Sequence, residues 1–202
     1  VFQSSHAIEP AFNTAGTLED WKNTIGELSA GNSRLQLAIC IGLAGPLLKL
    51  AGESSGGFHL RGTSSTGKST AQHVCCSIWG EPSTFKRTWR ATSNGLEGIA
   101  AVHNDLTLVL DELSQCEPKH AGEAAYMLSN EQGKSRAGRT GTARQPESWQ
   151  LLFLSSGEVS LATLLAGAGL KVNAGQEVRL ADIEADAGKG MGLLECLHDY
   201  PT

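Results

Sequence analysis

Two stretches of this 202-residue chain carry residue types that could do chemistry on phosphate. The first is Gly62-Thr63-Ser64-Ser65-Thr66-Gly67-Lys68-Ser69-Thr70, with glycine, lysine and hydroxyl at each position that a phosphate-cradling loop requires. Gly62 and Gly67 allow backbone angles that a β-carbon disfavours, so successive N–H groups can turn inward toward a phosphate. Lys68 adds a point charge for the β- and γ-phosphates, and Ser69 offers a hydroxyl to Mg²⁺. The second stretch is Leu106-Thr-Leu-Val-Leu110-Asp111-Glu112, an apolar strand that ends in two acids. Asp111 can hold Mg²⁺, directly or through water, beside Ser69. Glu112 can orient and deprotonate an attacking water. The chemistry that suits this pair is hydrolysis of ATP with Mg²⁺.

Both stretches need elements to position them. The run Phe58 to Leu60 reads as a strand entering the loop, and Thr70 to Trp79 as a helix leaving it, whose N-terminus favours an anion. The acids follow about forty residues later, after one further strand and helix, the spacing of a nucleotide-binding α/β unit. That strand is expected over Thr84 to Arg90. Thr92 or Asn94 then caps a helix through Val102, ended by His103-Asn104-Asp105. A buried parallel strand delivers Asp111 and Glu112 to the C-terminal edge of the sheet, where ligands bind in such folds. Pro118 to Asn130 has helical spacing. Trp149 to Leu154 predicts another buried strand, tipped by Ser155, Ser156, Gly157 and Glu158. A helix over Val159 to Leu170 and a strand over Gln176 to Ile183 complete the unit.

Upstream, Thr17-Leu-Glu-Asp20 has the spacing of a capping box, with Asp in place of Glu or Gln, and opens a helix through Ser29. A second, apolar helix runs from Ser33 and is interrupted at Pro46. Residues 1–52 therefore predict an N-terminal helical segment, 53–192 a P-loop core, and 193–202 the start of a truncated helix or lid. The expected class is α/β, a three-layer sandwich with a five-stranded parallel sheet.

Composition narrows the partners. A net charge of −5 advertises no global affinity for nucleic acid, so any such contact is local. The strongest local candidate is the acid-free stretch with Lys134, Arg136, Arg139 and Arg144, which is either a solvated loop or a glycine-jointed hairpin touching phosphates. Five cysteines without paired spacing suit a reduced, cytoplasmic protein. No run of about eighteen apolar residues suggests a membrane span. The sequence reads as a piece of a longer polypeptide.

The succession of motifs resembles the AAA+ core. It is more closely similar to an uncharacterised P-loop family, domain of unknown function 927, of phage and mobile-element primase–helicase proteins. The residues that carry the likeness are Gly56-Gly-Phe-His-Leu-Arg-Gly, Ser64-Ser-Thr-Gly-Lys, Thr88-Trp-Arg-Ala-Thr, Asn94-Gly-Leu-Glu and His103-Asn-Asp-Leu. Further on are Leu110-Asp-Glu-Leu, Gly122-Glu-Ala-Ala-Tyr-Met-Leu, Leu152-Phe-Leu-Ser-Ser-Gly-Glu and Ala174-Gly-Gln-Glu-Val-Arg-Leu.

The resemblance implies a sheet in the order 5-1-4-3-2 and a helicase-like ATPase, a homo-oligomer for which a hexameric ring is one arrangement. It puts Ser155 or Ser156 where a sensor residue reads the γ-phosphate, although most AAA+ proteins use Asn there. Arg179 falls where relatives carry an arginine finger for a neighbour's ATP; the alternative is a structural strand-edge arginine. Lys134 to Arg144 falls where related helicases insert a DNA-touching hairpin. Two other classes compete with an ATP-driven DNA motor. One is a nucleotide-binding switch with little turnover, against which Glu112 argues. The other is a small-molecule kinase.

Overall fold

The structure, a computed structural model, describes residues 11–137, 143–144, 146–170 and 179–198, with backbone alone at 136–137 and 143–144. The expected entry before Pro10, Arg139 and the first residues of the last strand lie outside the described residues.

The capping box forms with aspartate. The Thr17 hydroxyl accepts from the Asp20 N–H (3.1 Å), and the Asp20 carboxylate accepts from the Thr17 N–H (3.1 Å). Helix α1 (Leu18–Trp21) then widens into a π-helical stretch (Lys22–Gly26) and closes as α2 (Glu27–Ser29). Helix α3 (Ser33–Ala44) passes through one 3₁₀ turn at Pro46 (Gly45–Leu47) into α4 (Leu48–Ala51). Pro46 therefore tightens the helix without ending it. The continuous run Ser33–Ala51 is 19 residues long with a mean hydropathy of 1.4, so by length and composition it could cross a membrane, contrary to the sequence expectation. Its Leu35, Ala38, Ile41 and Leu48 are buried.

Strand β1 (Gly56–Arg61) leads through the glycine loop into α5 (Lys68–Cys76). The strand expected over Thr84 to Arg90 is much shorter. Pro82, at home in the first turn of a helix, opens α6 (Pro82–Phe85) and seats Phe85 in the core, which leaves only Arg87–Thr88 as β2. Thr92, not Asn94, caps α7 (Ser93–Val102), its hydroxyl accepting from the Gly95 N–H at 3.1 Å. Then follow β3 (Leu106–Asp111), a 3₁₀ turn (Leu113–Gln115), α8 (Pro118–Ser129), the pair β4 (Arg136–Ala137) and β5 (Ala143–Arg144), β6 (Leu151–Gly157), α9 (Leu161–Gly167) and β7 (Leu180–Glu184). Trp149 stands before β6 rather than in it, its indole N–H given to the Leu128 carbonyl (2.9 Å).

The main sheet is all parallel in the order β2-β3-β6-β1-β7. Set aside the small antiparallel β4–β5 pair, and this is the 5-1-4-3-2 order expected, read from the β7 edge. Alternation along β3 and β6 builds a core on each face. On one face Val109 and Leu154 meet Leu35, Ala38 and Ile41 of α3 and Ala71, Cys75 and Cys76 of α5. On the other, Leu108, Leu110, Leu151 and Phe153 meet α7, α8 and α9. Each such aliphatic or aromatic burial contributes about 1.5–3 kcal/mol. The N-terminal helices are part of this sandwich: the Thr107 hydroxyl of β3 donates to the Ile41 carbonyl of α3 at 2.9 Å.

Residues 193–198 run as turns, not as the helix expected from Leu193. Long-range contacts hold them instead. The Asn32 side-chain oxygen accepts from the N–H groups of Glu195 (2.7 Å) and Cys196 (3.1 Å), and the Glu195 carboxylate accepts from the Ser33 N–H. All five cysteines are free thiols.

Candidate functional site

The loop between β1 and α5 lies at the C-terminal edge of the sheet. Gly67 takes φ +91°, and a β-carbon there would come within 2.1 Å of the Leu193 side chain, so both angle and space demand glycine. Gly62 does not take the second left-handed position; Ser65 does, at φ +65°. The Gly62 N–H is not turned inward either, since it donates to the Gly157 carbonyl (3.2 Å). What constrains Gly62 is room: its β-carbon would lie 2.9 Å from the Thr66 hydroxyl. The Leu193 N–H donates to the Thr66 carbonyl (2.9 Å), which fastens the turn after β7 over the loop. The Lys68 ammonium donates to the carbonyls of Gly62 and Thr63, both at 2.7 Å. Thr63, Ser64, Ser65, Ser69 and Thr70 are exposed around it, and Thr66 is half-buried. Free N–H groups of the first turn of α5, the Lys68 charge and the Ser69 hydroxyl together fit a polyphosphate.

Strand β3 brings Asp111 to the same edge. Ser156 of β6 donates to Asp111 Oδ1 (2.6 Å) and Lys86 to Asp111 Oδ2 (2.7 Å). Burial alone would raise the Asp111 pKa, but hydrogen bonds from Lys86 and Ser156 outweigh it and hold the carboxyl below its usual range. His73 on α5 is held below the usual imidazole range, first by partial burial and then by the Lys86 charge. Glu112 sits at φ +57°, ψ 76°, a left-handed conformation that costs a non-glycine residue about 1–3 kcal/mol. Its N–H reaches the Ser156 hydroxyl (3.3 Å) and its carboxylate accepts from Ser114. One serine therefore holds the Asp111 carboxylate and the Glu112 backbone.

Ser155 and Ser156 face opposite sides of β6, and both are buried. Only Ser156 reaches Asp111. Ser155 accepts from the Trp89 indole N–H (2.9 Å) and donates to His59 Nδ1 (2.8 Å), while His59 Nε2–H faces the Val159 carbonyl (3.0 Å). Burial pushes the His59 pKa down and keeps the ring neutral.

Asp111 and Ser69 suit Mg²⁺ as donors. Among the described residues no cluster of three His, Cys, Asp or Glu side chains offers a protein cage. A site of one carboxylate and one hydroxyl, completed by water and phosphate, is the usual manner of this ion. Both Asp111 oxygens already accept a hydrogen bond, which favours contact through water.

Arg179 does not join this constellation. It precedes β7, whose Leu180 pairs with Gly57 while Glu184 pairs with Arg61 beside the loop. Five residues of strand separate it from the loop end of the sheet, roughly 16 Å. Its guanidinium lies over the Tyr126 ring, 5.1 Å from the centroid. Hydrogen bonds from Asn130 and from Arg179 hold the Tyr126 phenol below its usual range.

Within the basic stretch, β4 and β5 pair antiparallel, with Arg136 opposite Arg144. Lys134 is exposed just before β4, on the rim of a cleft of about 400 Å³ shared with Trp89, Arg90 and His120.

The family described as "Domain of unknown function (DUF927)" matches residues 1–148, which include the loop, both acids and the basic stretch. The chain belongs to the DUF927 family. Among solved structures, this DUF927 chain is similar to the SCCmec type IV Cch active helicase, with a TM-score of 0.65 and 28% identity over 90% of this chain and 35% of that one. It therefore spans about a third of that helicase's length. It also matches a P216G mutant of Thermotoga maritima RuvB (TM-score 0.44, 16% identity, 77% of this chain and 46% of that one). A third match is NtrX of Brucella abortus in complex with ATP (0.45, 15%, 82% and 39%). Those two scores are too low to bear on function. No curated protein matches the sequence. With its sheet order and loop, the DUF927 chain has the P-loop NTPase fold.

Lys86, Leu193 and the bridging role of Ser156 are the residues that sequence reasoning missed. Lys86 belongs to no motif and lay inside a stretch read as plain strand. Leu193 meets the loop from more than a hundred residues away. Only the alternation of β6 could have separated Ser156 from Ser155.

Proposed function

We propose that this chain is the ATP-hydrolysing motor domain of a helicase-like protein that acts on DNA in phage or mobile-element replication. The observation that carries the reading is that the sheet edge holding the Lys68 loop also carries Asp111, whose carboxylate accepts from Ser156, and next to it Glu112, whose backbone N–H reaches the same serine. A nucleotide-binding module needs the loop; only a hydrolase needs a second acid held beside the first. The roles divide by chemistry: the loop residues Gly62 to Thr70 bind the phosphates, Lys68 meets their charge, and Ser69 and Asp111 hold Mg²⁺. Bound there, Mg²⁺ would neutralise phosphate charge as it develops. Glu112 takes the proton of the attacking water. Ser156, whose single proton is given to Asp111, positions the acids rather than reading the γ-phosphate.

Lys134, Arg136, Arg139 and Arg144 are the cations that contact DNA, in keeping with the name of the Cch helicase. Arg179 serves a neighbouring subunit's nucleotide, since it stands too far from its own. The protein acts in the cytoplasm as a homo-oligomer. The contact between Glu112 and Ser114 favours a second reading, a nucleotide switch with little turnover, because a hydrogen bond to one carboxylate oxygen makes the base weaker.

Lys68→Ala is expected to abolish ATP binding in calorimetry, because the cradle loses its fixed cation at the β/γ position. Unchanged affinity would overturn the nucleotide site itself. DNA-stimulated ATPase activity separates the motor from the switch; turnover that ignores both single-stranded and forked DNA would remove the DNA assignment.

A further inference from the structure

Lys86 sits between α6 and β2, next to Phe85, which is buried in the layer that also holds Ala71, Cys75 and Cys76 of α5. Its ammonium is 2.7 Å from Asp111 Oδ2, and the pair is largely shielded, with side-chain exposures of 20% and 24%. Burial of this degree is unusual for lysine unless it is paired. The chain before it is anchored: Phe85 is fully buried, and the Lys86 N–H donates to the Pro82 carbonyl at 3.1 Å. The ammonium is therefore a fixed part of the site and not a surface charge that happens to swing by. Ser156 holds the other oxygen, so Asp111 is oriented from both sides.

This places a permanent monocation at the carboxylate that would otherwise await a divalent one. Its field acts on two partners with opposite signs. It attracts a polyphosphate in the adjoining loop, and it repels a metal ion approaching Asp111. We propose that Lys86 is a charge-compensating residue of the nucleotide site, which lets the chain bind ATP with less help from divalent metal and raises the metal concentration needed to load the site. The proposal rests on the reading of the loop as an ATP site. In that reading Lys68 meets the terminal phosphates, and Lys86 supplies a second cation at the Asp111 carboxylate.

The test is ATP affinity by calorimetry, in EDTA and in saturating Mg²⁺, for the wild-type chain, Lys86→Gln and Lys86→Arg. Glutamine can still donate to Asp111 but carries no charge. Its ratio of metal-free to metal-bound Kd should rise by about tenfold or more over wild type, the effect of one unit charge several ångströms away at intermediate dielectric. Titration of Mg²⁺ at fixed ATP should show Lys86→Gln loading at lower metal concentration. Lys86→Arg keeps the charge, so its ratio should stay within about twofold of wild type. Thermal melts of each variant check the fold. A Lys86→Gln ratio equal to wild type overturns the proposal, as does an Arg variant that behaves like the Gln one. A wild-type chain that binds no ATP in either condition overturns the nucleotide site and this role with it, whereas normal ATP binding with an unmoved ratio removes Lys86 alone.

Discussion

Glu112 shows how a single residue can be given over to position. A glutamate at φ +57° is strained where glycine or asparagine would be relaxed, and it is tolerated because its N–H is held by Ser156 and its flanks are fixed, Asp111 at the end of β3 and Leu113 in the core. The strained angle turns the chain out of the strand line, and the carboxylate accepts from Ser114. Glu112→Gln keeps the shape and removes the base. ATP binding should persist while hydrolysis falls by about a hundredfold or more. A variant that turns over at the wild-type rate would move the base elsewhere and leave the switch reading stronger. The buried histidines make a second prediction at this scale. Burial depresses the pKa of His59 and of His103 in the folded chain below the 6.5 of the open chain. Below about pH 6.5 the unfolded chain takes up protons that the folded one refuses, so their stabilising effect is complete above that pH and declines as pH falls. Each histidine should cost about 1.4 kcal/mol per pH unit in that window. Urea unfolding at pH 7.5 and 5.5 should show the midpoint dropping; equal midpoints would mean the rings are charged in the folded state.

Among the elements, the 3₁₀ turn after α3 leaves no room for a side chain against β3. At Gly45, which opens that turn, the chain lies so close to β3 that a β-carbon would stand 2.5 Å from the Leu106 carbonyl carbon and oxygen. Backbone cannot yield as a flexible side chain can. Gly45→Ala should therefore destabilise the fold by about 1–3 kcal/mol, read as a lowered urea midpoint. An unchanged midpoint would show that α3 can lift from the sheet at little cost. The consequence reaches the site, since Ala71, Cys75 and Cys76 of α5 pack against the same layer as α3. Burial pushes the Cys76 thiol up to about 12 and the Cys75 thiol up as well, so both act as small apolar side chains at that seam.

For the molecule as a whole, the distribution of charge across the sheet matters most. Lys68, Lys86, Asp111 and Glu112 gather at one end of the strands, and Arg179 stands at the other, stacked on Tyr126. If Arg179 completes a neighbour's site, turnover should rise steeply with protein concentration. Arg179→Ala should bind ATP nearly normally and hydrolyse it about a thousandfold more slowly. Lys68→Ala subunits bind no ATP but still donate Arg179, and Arg179→Ala subunits do the reverse. Mixed together, two inactive proteins should regain part of the activity. A mixture as inactive as its parts, with assembly confirmed by light scattering, would return Arg179 to a structural role against Tyr126.

The glycine loop, the acid-tipped strand and the parallel sheet were legible in the chain because each depends on local pattern: fixed glycine spacing, an apolar run of strand length, and helices between strands that compel parallel crossovers; the strand order was an implication of the resemblance to the AAA+ core. The Thr17 capping box was legible for the same reason, since its partners are three residues apart. The rest depended on distance. No periodicity marks Lys86 as the partner of Asp111, 25 residues on, or Ser156 as the partner of the Glu112 N–H and the Asp111 carboxylate, 44 and 45 residues before it. The helix foreseen at Leu193 gave way because Asn32, more than 160 residues upstream, takes the N–H groups that begin it, and because Leu193 is drawn into the space that Gly67 leaves. Likewise β2 shrank to two residues because burying Phe85 stabilised the fold more than extending an edge strand. Local hydrogen-bond patterns are written in neighbouring residues, whereas the choice between competing partners for the same N–H, hydroxyl or carboxylate is made only when the packed layers bring those partners together.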